Sequence, residues 1–283
     1  MSRRLFTLSG VAALIIVTAL VSSPGPAAAD HSWTPYHWAR ASNPFPLELG
    51  RNLSGAWGTY LNTASSDWNS TGIVLTTPSD GRAGDSRRCR ANANRVEVCN
   101  ARYGFNGWLG LASIWASGDH ITQGTVKLND SYFNTASYNT PAWRLMVMCQ
   151  EVGHTFGLAH QDEVFANPNL GSCMDYTNDP DGGRTFTPGA LDPSNEHLNA
   201  HDPQQLNSIY THTDSPTTTT SPTLNRGGQA LPDEAGDTPA EWGTPVRHRA
   251  DGRPILYRRD VSGGRAVFTW VRWADQPGAA GGR

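Results

Sequence analysis

The chain has 283 residues, with 22 lysines and arginines against 25 aspartates and glutamates and a formal net charge of −3 at pH 7. This length suits one large domain with appendages better than a string of small domains. Because there is no basic excess, the composition argues against a nucleic-acid partner.

Residues 1–29 have the pattern of a secretory signal peptide. Arg3 and Arg4 precede a short apolar run, and cleavage is expected between Ala29 and Asp30. No segment reaches the roughly 20 apolar residues that a membrane span requires, so we expect a soluble, secreted monomer without a membrane span. The arginine pair leaves general secretory and twin-arginine export both open. Removal of the signal leaves 20 basic and 25 acidic residues, a net charge of −5.

Residues 30–213 read as one globular domain of mixed α and β structure. Apolar residues at helical spacing predict a helix over residues 54–68, and alternating apolar runs predict strands at residues 72–78, 95–104, 107–115 and 121–129. A second helix is predicted from Pro141, with Gly157 as its stop signal. Asp202 and Pro203 predict the cap and first turn of a third helix. The order helix, strands, helix, irregular segment, helix indicates an α+β fold.

The C-terminal part changes character. Residues 214–240 are rich in Ser, Thr, Pro and Gly, which predicts an extended linker. Residues 241–283 form a small tail in which two apolar runs flank Gly263 and Gly264, the pattern of a β-hairpin. A lone hairpin is marginal in water, so it either docks on another surface or remains a frayed end.

The stretch MCQEVGHTFGLAHQDE, residues 148–163, has the spacing of a hydrolytic metal site. Gln150 and His154 are four apart and share one helix face, and Gly157 permits a turn that returns His160 as a third ligand. Three protein ligands leave one zinc position open, as in catalytic sites. Glu151 is placed beside the ion, where a carboxylate acts as a general base.

The segment LGSCMDYTN lies downstream and supplies Met174 and Tyr176. With these residues the chain resembles the metzincin zinc endopeptidases, of the matrixin-like secreted bacterial type. The resemblance implies a metzincin-like zincin domain with a mixed twisted sheet, an antiparallel edge strand, an active-site helix, a Met-turn and a C-terminal helix. It also implies that Met174 supports the site, that Tyr176 steadies the oxyanion, and that substrate adds a strand to the edge formed by GWLGLA.

Gln150 departs from the family pattern, which has histidine at this position. An amide oxygen is a neutral ligand like imidazole, but zinc prefers nitrogen. Two readings stay open. The chain is an active zinc endopeptidase with a weaker ligand, or it is a catalytically silent binding protein on the same fold.

Four cysteines in an exported chain predict two disulfides. Cys149 and Cys173 precede Gln150 and Met174, and a bridge between them would tie the active-site helix to the methionine turn. Cys89 and Cys99 would then pair locally. The alternative, Cys149 as a thiolate ligand, would leave its partner cysteine free.

The remaining histidines have no partners at ligand spacing along the chain, apart from His197 and His201, for which we expect a turn or loop role. The aspartates of NDPDGG, residues 178–183, suit either a calcium site or a polar surface loop. The expected cofactor is therefore zinc, with calcium as a second possibility, and the expected partner is a protein or peptide substrate.

Overall fold

The structure is a computed structural model, and it describes residues 30–82, 84–165, 167–187, 190–215, 217–219 and 234–274. The predicted signal peptide and much of the predicted linker lie outside these residues. Within the described part of the chain, no helix is both long and apolar enough to cross a membrane.

A nine-stranded mixed sheet carries the molecule, with helices packed against it. The strands are β1 (His37–Trp38), β2 (Phe45–Asn52), β3 (Val74–Asp80), β4 (Arg95–Ala101), β5 (Trp108–Ser117), β6 (His120–Asn129), β9 (Thr244–His248), β10 (Pro254–Val261) and β11 (Arg265–Trp273). A separate small hairpin pairs β7 (Thr185–Thr187) with β8 (Ala190–Leu191). The helices are α1 (Trp57–Asn69), α2 (Asp130–Phe133), α3 (Pro141–His154), α4 (His201–Ile209) and α5 (Pro239–Trp242).

The sheet order is β3-β2-β4-β6-β5-β11-β10-β9, with β1 beside the start of β6. The neighbouring strands β3, β2, β4 and β6 are parallel to one another. The remaining pairs, β6–β5, β5–β11, β11–β10 and β10–β9, are antiparallel. The α+β prediction with a mixed sheet is therefore confirmed.

Helix α3 begins and ends where its sequence predicts. The Thr140 side chain accepts a hydrogen bond from the Trp143 N–H, and Pro141 occupies the first turn. Gly157 has φ of +93°, and a Cβ there would lie 2.2 Å from the Tyr36 carbonyl oxygen. Only glycine fits this turn, because a side chain would meet both a backbone atom and left-handed strain.

Two local expectations need correction. Strand β2 was not predicted, and its Pro46 is tolerated because β4 pairs with this strand only from Glu48 onward. The cap of α4 is also different. Asn199 Oδ1 accepts from the His201 N–H at 2.7 Å, whereas the Asp202 carboxylate accepts from Ser172 Oγ.

The predicted C-terminal hairpin is present, and it docks on the sheet. Strands β10 and β11 are joined by residues 262–264, where Gly263 and Gly264 have positive φ. Strand β11 then pairs antiparallel with β5, from Arg265 opposite Ser117 to Trp273 opposite Trp108. The expectation that β5 is an edge strand is therefore wrong, because the backbone groups on its outer side pair with β11.

Candidate metal centre

Helix α3 and the turn after it bring two of the predicted ligands, His154 and His160, together in the interior, with Gln150 buried on the same helix. Gln150 and His154 lie one turn apart on α3, and His160 returns beyond Gly157. The Nε2 atoms of His154 and His160 are 3.0 Å apart, with the two rings nearly perpendicular. We call Gln150, His154, His160 and the neighbouring Glu151 the cleft site.

The chemistry of His154 suits a metal ligand. Its Nδ1 lies 2.8 Å from the Leu158 carbonyl oxygen, which places the proton on Nδ1 and the lone pair on Nε2. Burial, together with the neighbouring His160, holds the pKa of His154 well below its usual range. Burial, with Arg247 and Arg272 nearby, does the same to the pKa of His160. Both imidazoles are therefore neutral, the form that binds metal.

Gln150 is oriented so that its oxygen is free. Its amide nitrogen donates to the carbonyl oxygen of Cys173 at 2.9 Å and lies 3.4 Å from that of Asp175. Because both neighbours are carbonyl acceptors, only the NH₂ group can face them. The buried Oε1 has no hydrogen-bond partner among the described residues. A neutral oxygen and two neutral imidazoles fit a zinc ion with an open coordination position.

Glu151 is the acidic group of this site. It is fully buried, and neither carboxylate oxygen has a hydrogen-bond partner in the described parts of the chain. Burial raises the pKa of Glu151 well above its usual range, and the positive charge of Arg272 partly offsets this. The carboxylate lies against β5, where a Cβ on Gly110 would come within 2.6 Å of Oε1. The absence of a side chain at Gly110 therefore leaves the space in which the Glu151 carboxylate lies.

The segment around Met174 lies directly behind the ligands. The Gln161 N–H donates to the Met174 carbonyl at 2.7 Å, and the disulfide between Cys149 and Cys173 joins this segment to α3. The Met174 sulfur packs so closely on α3 that a Cβ on Gly153 would lie 2.6 Å from it. The second predicted disulfide, Cys89–Cys99, is also formed.

The calcium hypothesis gains no support from the loop of residues 178–183. Arg184 lies within it, with Nε 2.8 Å from Asp179 Oδ2 and 3.6 Å from Asp192 Oδ2. A guanidinium among these carboxylates repels a divalent cation and satisfies the charges itself.

Strand β11 covers the cleft site, which the sequence did not reveal. The Trp270 indole stacks on the His154 imidazole, with centroids 4.6 Å apart and planes 5° apart. The Tyr176 hydroxyl donates to the Val271 carbonyl oxygen at 3.0 Å. The buried Arg272 guanidinium lies 4.1 Å from the Tyr176 ring centroid. The aromatic and basic residues of this tail were the available signal, but nothing in the sequence says where they dock.

Three histidines that lack partners along the chain meet in space. His37, His120 and His212 all approach the carboxylate of Asp214. The expectation that these histidines are partnerless is therefore wrong. The HTD spacing of residues 212–214 is the only local hint of this cluster, because the other members lie far away in the sequence.

No protein-family model matches the chain, and no curated protein matches it in sequence. Solved structures that are similar to it include the following two. High choriolytic enzyme 1, a hatching enzyme zinc-protease from the medaka fish Oryzias latipes, is 12% identical over 62% of this chain and 94% of its own, with a TM-score of 0.35. Myroilysin is 11% identical over 62% of this chain and 97% of its own, with a TM-score of 0.33. Similarity this low identifies no family, and the function rests on the residues of the site.

Proposed function

We propose that the chain is a secreted zinc-dependent endopeptidase, with Gln150, His154 and His160 as the metal ligands. The observation that carries this proposal is the pair of neutral imidazoles, His154 and His160, whose Nε2 atoms lie 3.0 Å apart. One helical turn before His154, the buried amide oxygen of Gln150 has no hydrogen-bond partner among the described residues. The two disulfides favour an oxidising compartment outside the cell, in line with the predicted signal peptide.

The roles of the side chains follow from their chemistry. When bound, zinc supplies a positive charge that makes water more acidic and polarises a peptide carbonyl. Glu151 accepts the proton of the attacking water on its carboxylate and delivers it to the leaving amine. Its raised pKa suits a group that must both take and give a proton.

Tyr176 is placed to assist the substrate carbonyl. Its hydroxyl donates into the cleft, where it now meets the Val271 carbonyl oxygen. A substrate carbonyl in that place would receive the same hydrogen bond as negative charge develops on its oxygen. Met174 and the Cys149–Cys173 bridge hold the ligands from behind. The substrate is a peptide or protein segment in extended conformation, added to β5.

The test compares purified chains with and without Glu151. Because Trp270 covers the site, casein cleavage is measured in the wild-type chain and in a Trp270→Ala background. We expect chelator-sensitive cleavage that falls roughly 100-fold to 10,000-fold in Glu151→Gln, with the bound zinc retained. Glu48→Gln, a carboxylate on β2 outside the site, is the matched control and should keep its activity.

The alternative is a catalytically silent binding protein on the same fold. It predicts no cleavage in either background and no zinc lost when His154 is replaced by Ala. Restoration of both zinc and cleavage by Gln150→His would identify the chain as such a relic.

A further inference from the structure

The geometry points to a second metal site, separate from the cleft, formed by His37, His212 and Asp214 with His120 beside them. We call these four residues the terminal cluster. His37 Nε2 lies 3.1 Å from His212 Nε2. Asp214 Oδ1 lies 3.4 Å from His37 Nε2, 3.3 Å from His212 Nε2 and 3.4 Å from His120 Nε2.

These separations match the edges of a zinc coordination tetrahedron. Zinc binds imidazole nitrogen and carboxylate oxygen at about 2.0 to 2.2 Å, which sets neighbouring ligand atoms roughly 3.3 to 3.5 Å apart. The three ligand atoms of His37, His212 and Asp214 lie close to this spacing. His120 Nε2 lies near the carboxylate as well, 3.4 Å from Asp214 Oδ1, but the three ligand atoms that lie close to one another are those of His37, His212 and Asp214.

The orientation of His37 is compatible with a ligand role. Its Nδ1 lies 2.7 Å from the Pro35 carbonyl oxygen, so in the neutral ring the proton sits on Nδ1 and the lone pair on Nε2. That lone pair would face the negative Asp214 Oδ1, and either a proton or a metal cation between the two atoms removes the repulsion. A divalent ion with nitrogen and carboxylate ligands resolves the conflict, and the donor set suits zinc.

The Asp214 carboxylate is also held in an orientation that suits a metal ligand. Arg40 binds Asp214 Oδ2 through both its backbone N–H, at 3.3 Å, and its guanidinium, at 3.0 Å. These bonds orient the carboxylate and leave Oδ1 directed at the histidines, as outer-shell contacts do in metal sites. The ion would join β1 to the segment after α4, and its role would be structural.

Zinc content tests this proposal directly. The wild-type chain and the His212→Ala and Asp214→Asn variants are dialysed against zinc, and bound zinc is counted by mass spectrometry. We expect each variant to lose one equivalent and its thermal midpoint to fall from that of the zinc-loaded wild type towards that of the chelated wild type. The His212 side chain is 52% exposed, so its removal should leave the fold intact. His248→Ala, an exposed histidine of β9, is the control.

An unchanged zinc count in both variants would overturn the second site. If the cleft binds no zinc, the wild type should still bind one equivalent more than the His212→Ala and Asp214→Asn variants. The cleft proposal and this one are therefore judged separately. His154→Ala reports on the cleft alone.

We infer, from a different observation, that β11 is an internal inhibitor of the cleft, so that the full chain is a latent form. This inference rests on the proposed function. Strand β11 pairs with β5 over nine residues in the antiparallel sense, the pairing that we propose for the substrate. Its Trp270 and Val271 contact His154 and Tyr176. A substrate can enter only when this strand leaves.

The strand is attached in a way that permits release. Residues 220–233 lie between the catalytic domain and the segment that leads into the hairpin, and their Ser, Thr, Pro and Gly content is typical of segments that proteases cut. After such a cut the hairpin would stay bound only through its contacts with the sheet. Dilution would then free the cleft.

The experiment uses the full chain with a protease recognition site introduced between residues 220 and 233. Peptidase activity is measured before cutting, after cutting and after dilution, while hydrogen exchange follows the amides of β5. We expect low activity in the intact chain, and at least a tenfold rise in specific activity when the cut chain is diluted. The uncut Trp270→Ala chain should show a similar rise, because activity follows the open fraction. Val246→Ala, an exposed residue of β9, should show none.

The outcomes separate the two ideas. Equal activity before and after release of β11, with exchange proving the release, overturns the inhibitor role. Inactivity in every state, with β5 fully exposed, overturns the endopeptidase proposal instead.

Discussion

The cleft site and the terminal cluster use the same imidazole chemistry in opposite surroundings. Each holds two Nε2 atoms about 3 Å apart, and in each a backbone carbonyl fixes one ring through Nδ1. They differ in the oxygen, which is a neutral amide in the cleft and a carboxylate in the cluster. They also differ in exposure, since the cleft is buried under β11 while His120 and His212 face solvent.

The two proposals together would let one metal serve two purposes in one chain. In the cleft, a neutral ligand set would preserve the full divalent charge, with Glu151 beside it as the proposed general base. In the terminal cluster, the carboxylate of Asp214 would reduce that charge, which suits a structural ion. Variants that affect one site and spare the other can therefore test the contrast.

Among the variants that distinguish the cleft site from the terminal cluster, Gly110→Ala should change the activity most. The new Cβ would lie 2.6 Å from Glu151 Oε1 and 2.8 Å from a methyl group of Val147, so the base must move. Misplacement by about 1 Å can cost roughly 100-fold in rate, and we expect a loss of that order in casein cleavage. The zinc equivalent of the terminal cluster should remain. Gly58→Ala, where a Cβ meets nothing within 4 Å, is the control. Full activity in Gly110→Ala would contradict the placement of the base.

Replacement of Gln150 by His should strengthen zinc binding in the cleft only. Imidazole is the better ligand, and we expect about a 10-fold to 100-fold gain in affinity at that site, measured by competition with a coloured chelator. The affinity of the terminal cluster should not change. Gln204→His adds a histidine on the exposed side of α4 and controls for nonspecific binding. An unchanged cleft affinity would remove Gln150 from the ligand set.

Lys127→Met should weaken the attachment of the segment that leads into the C-terminal hairpin, and so loosen the strand that covers the cleft. The buried Lys127 ammonium donates to the Ala235 carbonyl at 2.7 Å and to Asp237 Oδ1 at 2.8 Å. Hydrogen bonds to charged groups contribute about 1.5 to 3 kcal/mol, so we expect roughly tenfold faster zinc loss from the cleft to a chelator. Loss from the terminal cluster should keep its rate. Arg87→Met removes an exposed partner of the same aspartate and should matter far less.

The smallest effect is expected for Glu163→Gln. Arg247 on β9 bonds Glu163 at 2.9 Å, close to His160, but its side chain is 41% exposed. Such pairs contribute about 1 kcal/mol or less, so zinc loss from the cleft should accelerate less than about fivefold. The difference from wild type should vanish at high salt. A large, salt-independent change would mean that Glu163 acts on the metal site itself.

The sequence predicted the parts of the structure that local chemistry determines. Helix α3, its ending at Gly157 and the strands β5 and β6 follow from capping, a turn glycine and alternating apolar residues. The meeting of His154 and His160, and the position of Gln150 one turn before His154, follow from helical periodicity and that turn. Their metal-binding roles remain proposals.

Long-range contacts could not be predicted in this way. Val267 on β11 pairs with Trp115, and His37 meets His212, across more than 150 positions of the sequence. No periodicity encodes such a meeting, because it depends on the closing of the whole sheet. The terminal cluster and the docking of β11 over the cleft site could not be predicted from the sequence for the same reason.

The cover on β5 also bears on solubility. Nine of the ten residues of β5 are buried, and its sequence WLGLASIWAS carries no charge and no proline. Once β11 leaves, this strand presents an uncharged row of backbone donors and acceptors, the kind of edge that recruits other chains into sheets. In the proposed latent form, β11 would therefore protect this edge from aggregation and would also prevent premature cleavage of substrates. The released enzyme would be the form more prone to self-association, and peptide substrates would compete with other copies of the chain for the same edge.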